Sequence, residues 1–81
     1  MTISDFDLEL SVEVAGNEIL VTLPGSRYSV IYFKRRGSSG LLAKDMVSRN
    51  DRRFPQMTAS QFLRKAWTAA NDKARELGWI V

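Results

Sequence analysis

Residues 10–23, with the sequence LSVEVAGNEILVTL, decide the fold, because they describe two strands that must pair with each other. Apolar and polar residues alternate strictly over residues 6–14, which is typical of a strand with one buried face. The loop Gly16-Asn17 has glycine first, as a type II′ turn prefers. This turn sets apolar residues opposite each other in the pairs Val14 with Ile19 and Val12 with Val21. A slip of one residue would pair apolar with polar positions, so the turn and the pattern predict the same hairpin.

Two further strands are predicted after this hairpin. Residues 23–26, LPGS, are typical of a type II turn, since proline presets φ at the second position and glycine supplies a positive φ at the third. Residues 28–33, YSVIYF, indicate either an inner strand contacted on both faces or a strand with one face left for a partner. After a glycine- and serine-rich tip, residues 41–47 have weaker β character and predict a fourth strand. We therefore expect an antiparallel meander of three to four strands.

One long C-terminal helix is specified at both ends. Its start has a capping box and a hydrophobic staple, formed by Thr58 with Gln61 and by Met57 with Phe62. Gly78 stands where a left-handed residue ends a helix, and Trp79 follows it. Between these ends one apolar stripe contains Phe62, Leu63, Ala66, Trp67, Ala70, Ala74 and Leu77. An amphipathic helix over about residues 59–77 is therefore predicted to lie across the sheet, in an α+β fold.

Composition limits the function classes. The 81 residues are 44% apolar and 26% charged, which is near the average, so we expect one globular domain over residues 1–81. The chain has no cysteine and no histidine, which removes thiolate nucleophiles, sulfur-bound zinc and histidine-dependent catalysis. No Gly-rich phosphate loop and no GxSxG motif is present. We therefore predict a non-catalytic binding module without a cofactor or metal. The sequence has no pattern typical of a signal peptide or a membrane span, so we expect a cytoplasmic location and no membrane contact.

Charge is divided unevenly along the chain. Residues 1–26 hold five acidic residues and no basic one, whereas residues 27–81 hold all twelve basic residues and four acidic ones. Six basic residues concentrate in the tip after the third strand and in the loop before the helix, at Lys34, Arg35, Arg36, Arg49, Arg52 and Arg53. Because Lys and Arg neutralise phosphates, these six residues predict DNA or RNA binding, provided that the two groups converge on one face. A solvated tip and an ordinary surface loop would account for the same residues.

The order of elements, strands followed by one helix, resembles that of small DNA-binding modules such as phage integrase arm-binding domains and plant ethylene-response-factor domains. These modules present a sheet to the major groove. The resemblance is one of element order, so it assigns no site residue. The helix mixes basic and acidic residues on its exposed side, and we expect it to brace the sheet.

A protein-interaction or homodimerising module is the alternative function. Only one face of the third strand lies beneath the helix, so the open side holds either Tyr28, Val30 and Tyr32 or Ser29, Ile31 and Phe33. The first strand also has an acidic row, formed by Asp5, Asp7, Glu9 and Glu13. This row would suit a basic partner or the basic half of a second copy, or it would discourage edge-to-edge aggregation.

Overall fold

The computed structural model describes residues 10–46 and 49–81 and confirms the α+β fold. Its elements are β1 (Ser11–Ala15), β2 (Glu18–Thr22), β3 (Ser29–Lys34), β4 (Leu41–Lys44) and α1 (Ala59–Glu76). The four strands form an antiparallel sheet in the order β1-β2-β3-β4. The predicted meander closed by one C-terminal helix is therefore confirmed, with all four strands present and with the helix one residue shorter than expected.

Local turn chemistry sets the strand pairing as predicted. Apolar residues face each other in the pairs Val14 with Ile19 and Val12 with Val21. Gly16 has a φ of +62° while Asn17 does not take a positive φ, which is the sign pattern of a type II′ turn. Between β2 and β3, the backbone N–H of Ser26 donates to the carbonyl of Leu23 at 3.1 Å, and Gly25 has a φ of +88°. This connection is the predicted type II turn.

The outer strands differ from the prediction or lie partly outside the described residues. The fourth strand, predicted over residues 41–47, ends at Lys44 because Asp45 takes a left-handed φ of +50°. Residue 47 lies outside the described residues, as do residues 6–9 of the predicted first strand. The acidic row lies outside them at Asp5, Asp7 and Glu9 and is described only at Glu13.

Both ends of α1 have the predicted caps. The Thr58 hydroxyl oxygen accepts the N–H of Gln61 at 3.1 Å, and the Gln61 side chain accepts the N–H of Thr58 at 2.9 Å. The capping box is therefore complete. At the other end Gly78 has a φ of +79°, and the N–H of Trp79 donates to the carbonyl of Ala74 at 2.8 Å. This bond belongs to a Schellman motif, which stops the helix.

The core lies between α1 and one face of the sheet. The sheet side contributes side chains that are at most 3% exposed, among them Ile19, Val21, Tyr28, Val30 and Tyr32. The helix side is mainly alanine, at residues 59, 66, 70 and 74. Small side chains let the helix backbone approach the sheet closely, and Phe62 fills the remaining space by stacking on Tyr28 with ring centroids 5.2 Å apart.

The predicted apolar stripe is wider than the buried face of α1. Trp67 and Leu77 belong to the stripe, but they are 46% and 42% exposed. A straight helix on a sheet buries mainly the row of residues spaced by four, so the neighbouring positions lie at the margin of the contact. There Trp67 meets Tyr32 edge-on, with ring centroids 5.6 Å apart.

Candidate nucleic-acid interface

The six basic residues selected from the sequence fall into two groups. The tip group comprises Lys34, Arg35 and Arg36, and the loop group comprises Arg49, Arg52 and Arg53. The tip group lies where β3 meets the turn to β4, whereas the loop group lies at the opposite end of β3, beside Arg27. A strand of this length spans about 17 Å. The structure therefore brings the loop group together and does not bring the tip group to it.

The loop group lines an open cleft of about 860 Å³, which we call the arginine cleft. Its lining consists of Arg27, Met46, Arg49, Asn50, Asp51, Arg52 and Arg53. Four arginines against one aspartate leave the lining with a net charge of +3. Arg27 was not selected from the sequence, because it stands alone between a turn and a strand and is brought to the loop only by the tertiary fold.

Asp51 organises this cleft through main-chain hydrogen bonds. Its Oδ2 accepts the backbone N–H of Arg27 at 2.8 Å, and its Oδ1 accepts the backbone N–H of Arg53 at 2.9 Å. These two hydrogen bonds lower the pKa of the Asp51 carboxyl below its usual range, and the bond from Arg27 has the larger effect. The burial of Asp51 acts in the opposite direction. The Asp51 carboxylate is therefore engaged by backbone groups.

Among the described residues, no guanidinium group of the cleft forms a salt bridge. Within residues 10–46 and 49–81, the salt bridges join Lys44 to Glu18, Lys73 to Glu76 and Arg75 to Asp72. None of them includes an arginine of the cleft. Four cations that share one concave surface with a single carboxylate repel each other, and an anion that enters the cleft would relieve this repulsion.

The Tyr28 hydroxyl ties the loop to the start of the helix. It accepts the backbone N–H of Asp51 at 2.8 Å and donates to the carbonyl of Met57 at 2.7 Å. Asn50 adds a second tie, since its Oδ1 accepts the N–H of Ala59 at 2.8 Å. The backbone of the loop group is therefore held in place by the fold, which would reduce the ordering cost of binding a ligand there.

The sheet face opposite α1 forms a second surface. Val30 and Tyr32 lie beneath the helix, so Ser29, Ile31 and Phe33 are the members of β3 on the open side. We call this surface the open face, and its apolar part consists of Leu20, Ile31, Phe33 and Leu42. Charged side chains border the apolar part, at Glu13, Glu18 and Lys44.

One ion pair crosses the open face. The Lys44 ammonium pairs with Glu18 and lies 5.9 Å from the centre of the Phe33 ring. The hydrogen bond with Glu18 raises the pKa of Lys44 above its ordinary value. The charge of Glu18 is therefore compensated within the chain, whereas Glu13 has no salt-bridge partner among the described residues.

Comparisons of the chain with protein-family models, curated proteins and solved structures found no match. The chemistry of both surfaces must therefore be argued from their own residues. In the described part of the chain, α1 is not apolar enough to cross a membrane. Nor do the acidic side chains described there gather in groups of three that could hold a metal ion.

Proposed function

We propose that the chain is a non-catalytic nucleic-acid-binding module that holds phosphate groups of DNA or RNA in the arginine cleft. The observation that carries this proposal is the set of Arg27, Arg49, Arg52 and Arg53 around one concave surface with a net charge of +3. Guanidinium groups pair with phosphate oxygens through two parallel hydrogen bonds, so arginine suits this ligand better than lysine does. Function of this kind also agrees with the expected cytoplasmic location.

The lining favours contacts to the phosphate backbone over contacts to bases. Within residues 10–46 and 49–81 no aromatic side chain lines the cleft, so this part of the chain offers no platform on which a base could stack. Phosphate contacts position a protein on nucleic acid but contain no sequence information. We therefore expect salt-sensitive binding with little sequence preference. The tip group lies outside the cleft and would make at most a separate, weaker contact.

Fluorescence anisotropy with labelled duplex and single-stranded oligonucleotides tests the proposal. The double variant Arg52→Ala/Arg53→Ala removes two guanidinium groups but keeps the N–H of Arg53 that binds Asp51. The double variant Arg35→Ala/Arg36→Ala removes the same charge from the tip and is the matched control. A plot of log K for binding against log salt concentration has a negative slope. We expect the cleft variant to make this slope shallower by about 1.8 for duplex DNA, that is by about 0.9 for each lost phosphate contact.

Two results would count against this function. If the unsubstituted protein binds neither duplex nor single strands at low salt, the module does not bind nucleic acid. If both double variants lose the same affinity, binding follows net charge and the cleft has no special role. Equal affinity for several unrelated sequences is the result expected from backbone contacts.

A further inference from the structure

The open face is self-complementary in charge. Strand register places one row of side chains across all four strands, in the order Glu13, Leu20, Ile31 and Lys44. An acidic residue therefore stands at one end of the row, a basic residue stands at the other, and the two positions between them are apolar. A row of this kind matches its own reversed copy.

A two-fold axis parallel to the strands and centred between β2 and β3 performs this reversal. It places β1 of one copy over β4 of the second, so Glu13 faces Lys44 of the second copy at both ends of the row. Leu20 meets Ile31 of the second copy in the middle. Stacked sheets lie about 10 Å apart, which the extended side chains of glutamate and lysine span together.

The neighbouring row does not oppose this arrangement. It contains Glu18 opposite Phe33, and Phe33 opposite Leu42. Glu18 is already paired with Lys44 of its own chain, so its burial would not leave an uncompensated charge. Lys44 would then lie between two carboxylates, one from each copy. This sharing is geometrically allowed because an ammonium group has three donors.

We propose that the open face binds a second copy of this chain, in a symmetric dimer that packs sheet against sheet. Four strands spaced about 4.8 Å apart and about 15 Å long present roughly 300 Å² in projection. This is well below the area of about 800 Å² per partner that stable complexes bury. The dimer is therefore a weak one, in a concentration-dependent equilibrium with the monomer. The axis sets the two arginine clefts at the same end of the dimer.

A charge-swap experiment tests this pairing by sedimentation velocity over a concentration series. The two end pairs of the homodimer each join residue 13 of one copy to residue 44 of the other. In Glu13→Lys both residues of each end pair are positively charged, and in Lys44→Glu both are negatively charged. Each variant alone should dimerise at least about tenfold more weakly than the unsubstituted protein. An equimolar mixture should regain dimerisation, because the two introduced charges face each other and the native Glu13–Lys44 pair remains at the other end.

The controls separate this dimer from nonspecific association. Glu76→Lys makes the same charge change as Glu13→Lys at an exposed helix position and should leave dimerisation unchanged. Circular dichroism checks that each variant is folded. Arg52→Ala/Arg53→Ala should dimerise like the unsubstituted protein, so failure of nucleic-acid binding and failure of dimerisation are distinguishable.

NMR on the unsubstituted protein gives an answer that needs no variant. As the protein concentration is raised, the amide chemical shifts of the open face should change, at Leu20, Ile31, Phe33 and Leu42. The amide chemical shifts of the core residues beneath α1 should remain constant. The proposal is overturned if the protein sediments as a monomer at every concentration, or if the mixture associates no better than its components. Equal weakening by Glu76→Lys would also overturn it.

Discussion

Removal of one oxygen atom, in Tyr28→Phe, should destabilise the protein strongly. The ring is 1% exposed and its stacking on Phe62 survives the substitution, so the change isolates the hydroxyl group. That hydroxyl serves two backbone groups, the N–H of Asp51 and the carbonyl of Met57. Both residues are less than 10% exposed, so water reaches their backbone groups poorly.

The expected loss follows from these two groups. A buried backbone group left without a partner costs about 1–3 kcal/mol, so two of them cost roughly 2–4 kcal/mol when partial hydration is allowed for. A domain of this size has a free energy of unfolding of about 4–12 kcal/mol. The variant should therefore lose a substantial fraction of its stability, with a fall in Tm of at least about 8 °C.

Tyr32→Phe is the matched control. Tyr32 is also buried, at 3% exposure, and its ring also contacts an aromatic residue of α1. Its hydroxyl makes no hydrogen bond to the described residues, and burial raises its pKa. Loss of this hydroxyl should change the free energy of unfolding by less than about 0.5 kcal/mol.

Urea unfolding measures both variants, and amide hydrogen exchange locates the effect. In Tyr28→Phe the N–H of Asp51 should lose protection more than the amides of β2, because its acceptor is gone while the strand pairing remains. Equal stability of the two variants would refute the reasoning. Unchanged protection at Asp51 would show that another acceptor replaces the hydroxyl.

Two further substitutions test the loop and the helix end. Asp51→Asn removes a carboxylate whose pKa is lowered by the N–H groups of Arg27 and Arg53, and such a carboxylate stabilises the fold above its unfolded pKa of about 3.9. In urea unfolding at several pH values, the unsubstituted protein should exceed the variant in stability above pH 4 and lose this advantage as the pH falls through the lowered folded-state pKa. A difference independent of pH would contradict the assignment. Gly78→Ala should cost about 1 kcal/mol in thermal unfolding, because Gly78 has a φ of +79° and no atom lies within 4 Å of the added Cβ, so the cost is that of the backbone alone. Gly40→Ala, which also meets nothing within 4 Å and has no positive φ, should be near neutral.

Elements with local determinants were predictable from the sequence. The capping box, the Schellman motif and the Gly16-Asn17 turn each depend on residues at most five positions apart, and each is formed as expected. The end of β4 was not predictable in this way. Asp45 adopts a left-handed φ, which aspartate tolerates better than most residues do. The presence of an aspartate in a sequence does not by itself predict a left-handed φ.

The arginine cleft was only partly predictable, because it depends on a contact between distant residues. The bond from the N–H of Arg27 to Asp51 joins positions 24 residues apart. The alternation of the third strand left Tyr28 either beneath the helix or on the open side. The ring does pack, but the hydroxyl holds the loop, and no local pattern indicates which backbone groups a tyrosine will reach.

The separation of the tip group from the loop group, in contrast, follows from topology. A chain that enters β4 beside the tip leaves β4 at the other end of the sheet. The loop before α1 must therefore begin at the end opposite the tip whenever residues 41–44 form a strand. Convergence of the two groups would have required the loop to fold back along β4, which a loop anchored to Tyr28 does not do.

The uneven charge along the sequence corresponds to two different surfaces. The acidic residues of β1 and β2 border the open face, where Lys44 balances Glu18 and would balance Glu13 of a second copy. The arginines of the cleft gather beyond the end of the sheet, around an aspartate that is bound by backbone N–H groups. Dimerisation through the open face would therefore leave the cleft charge unneutralised. Because α1 covers the remaining face, the proposed self-association and phosphate binding would not compete for surface, and a dimer would offer two clefts to one polyanion.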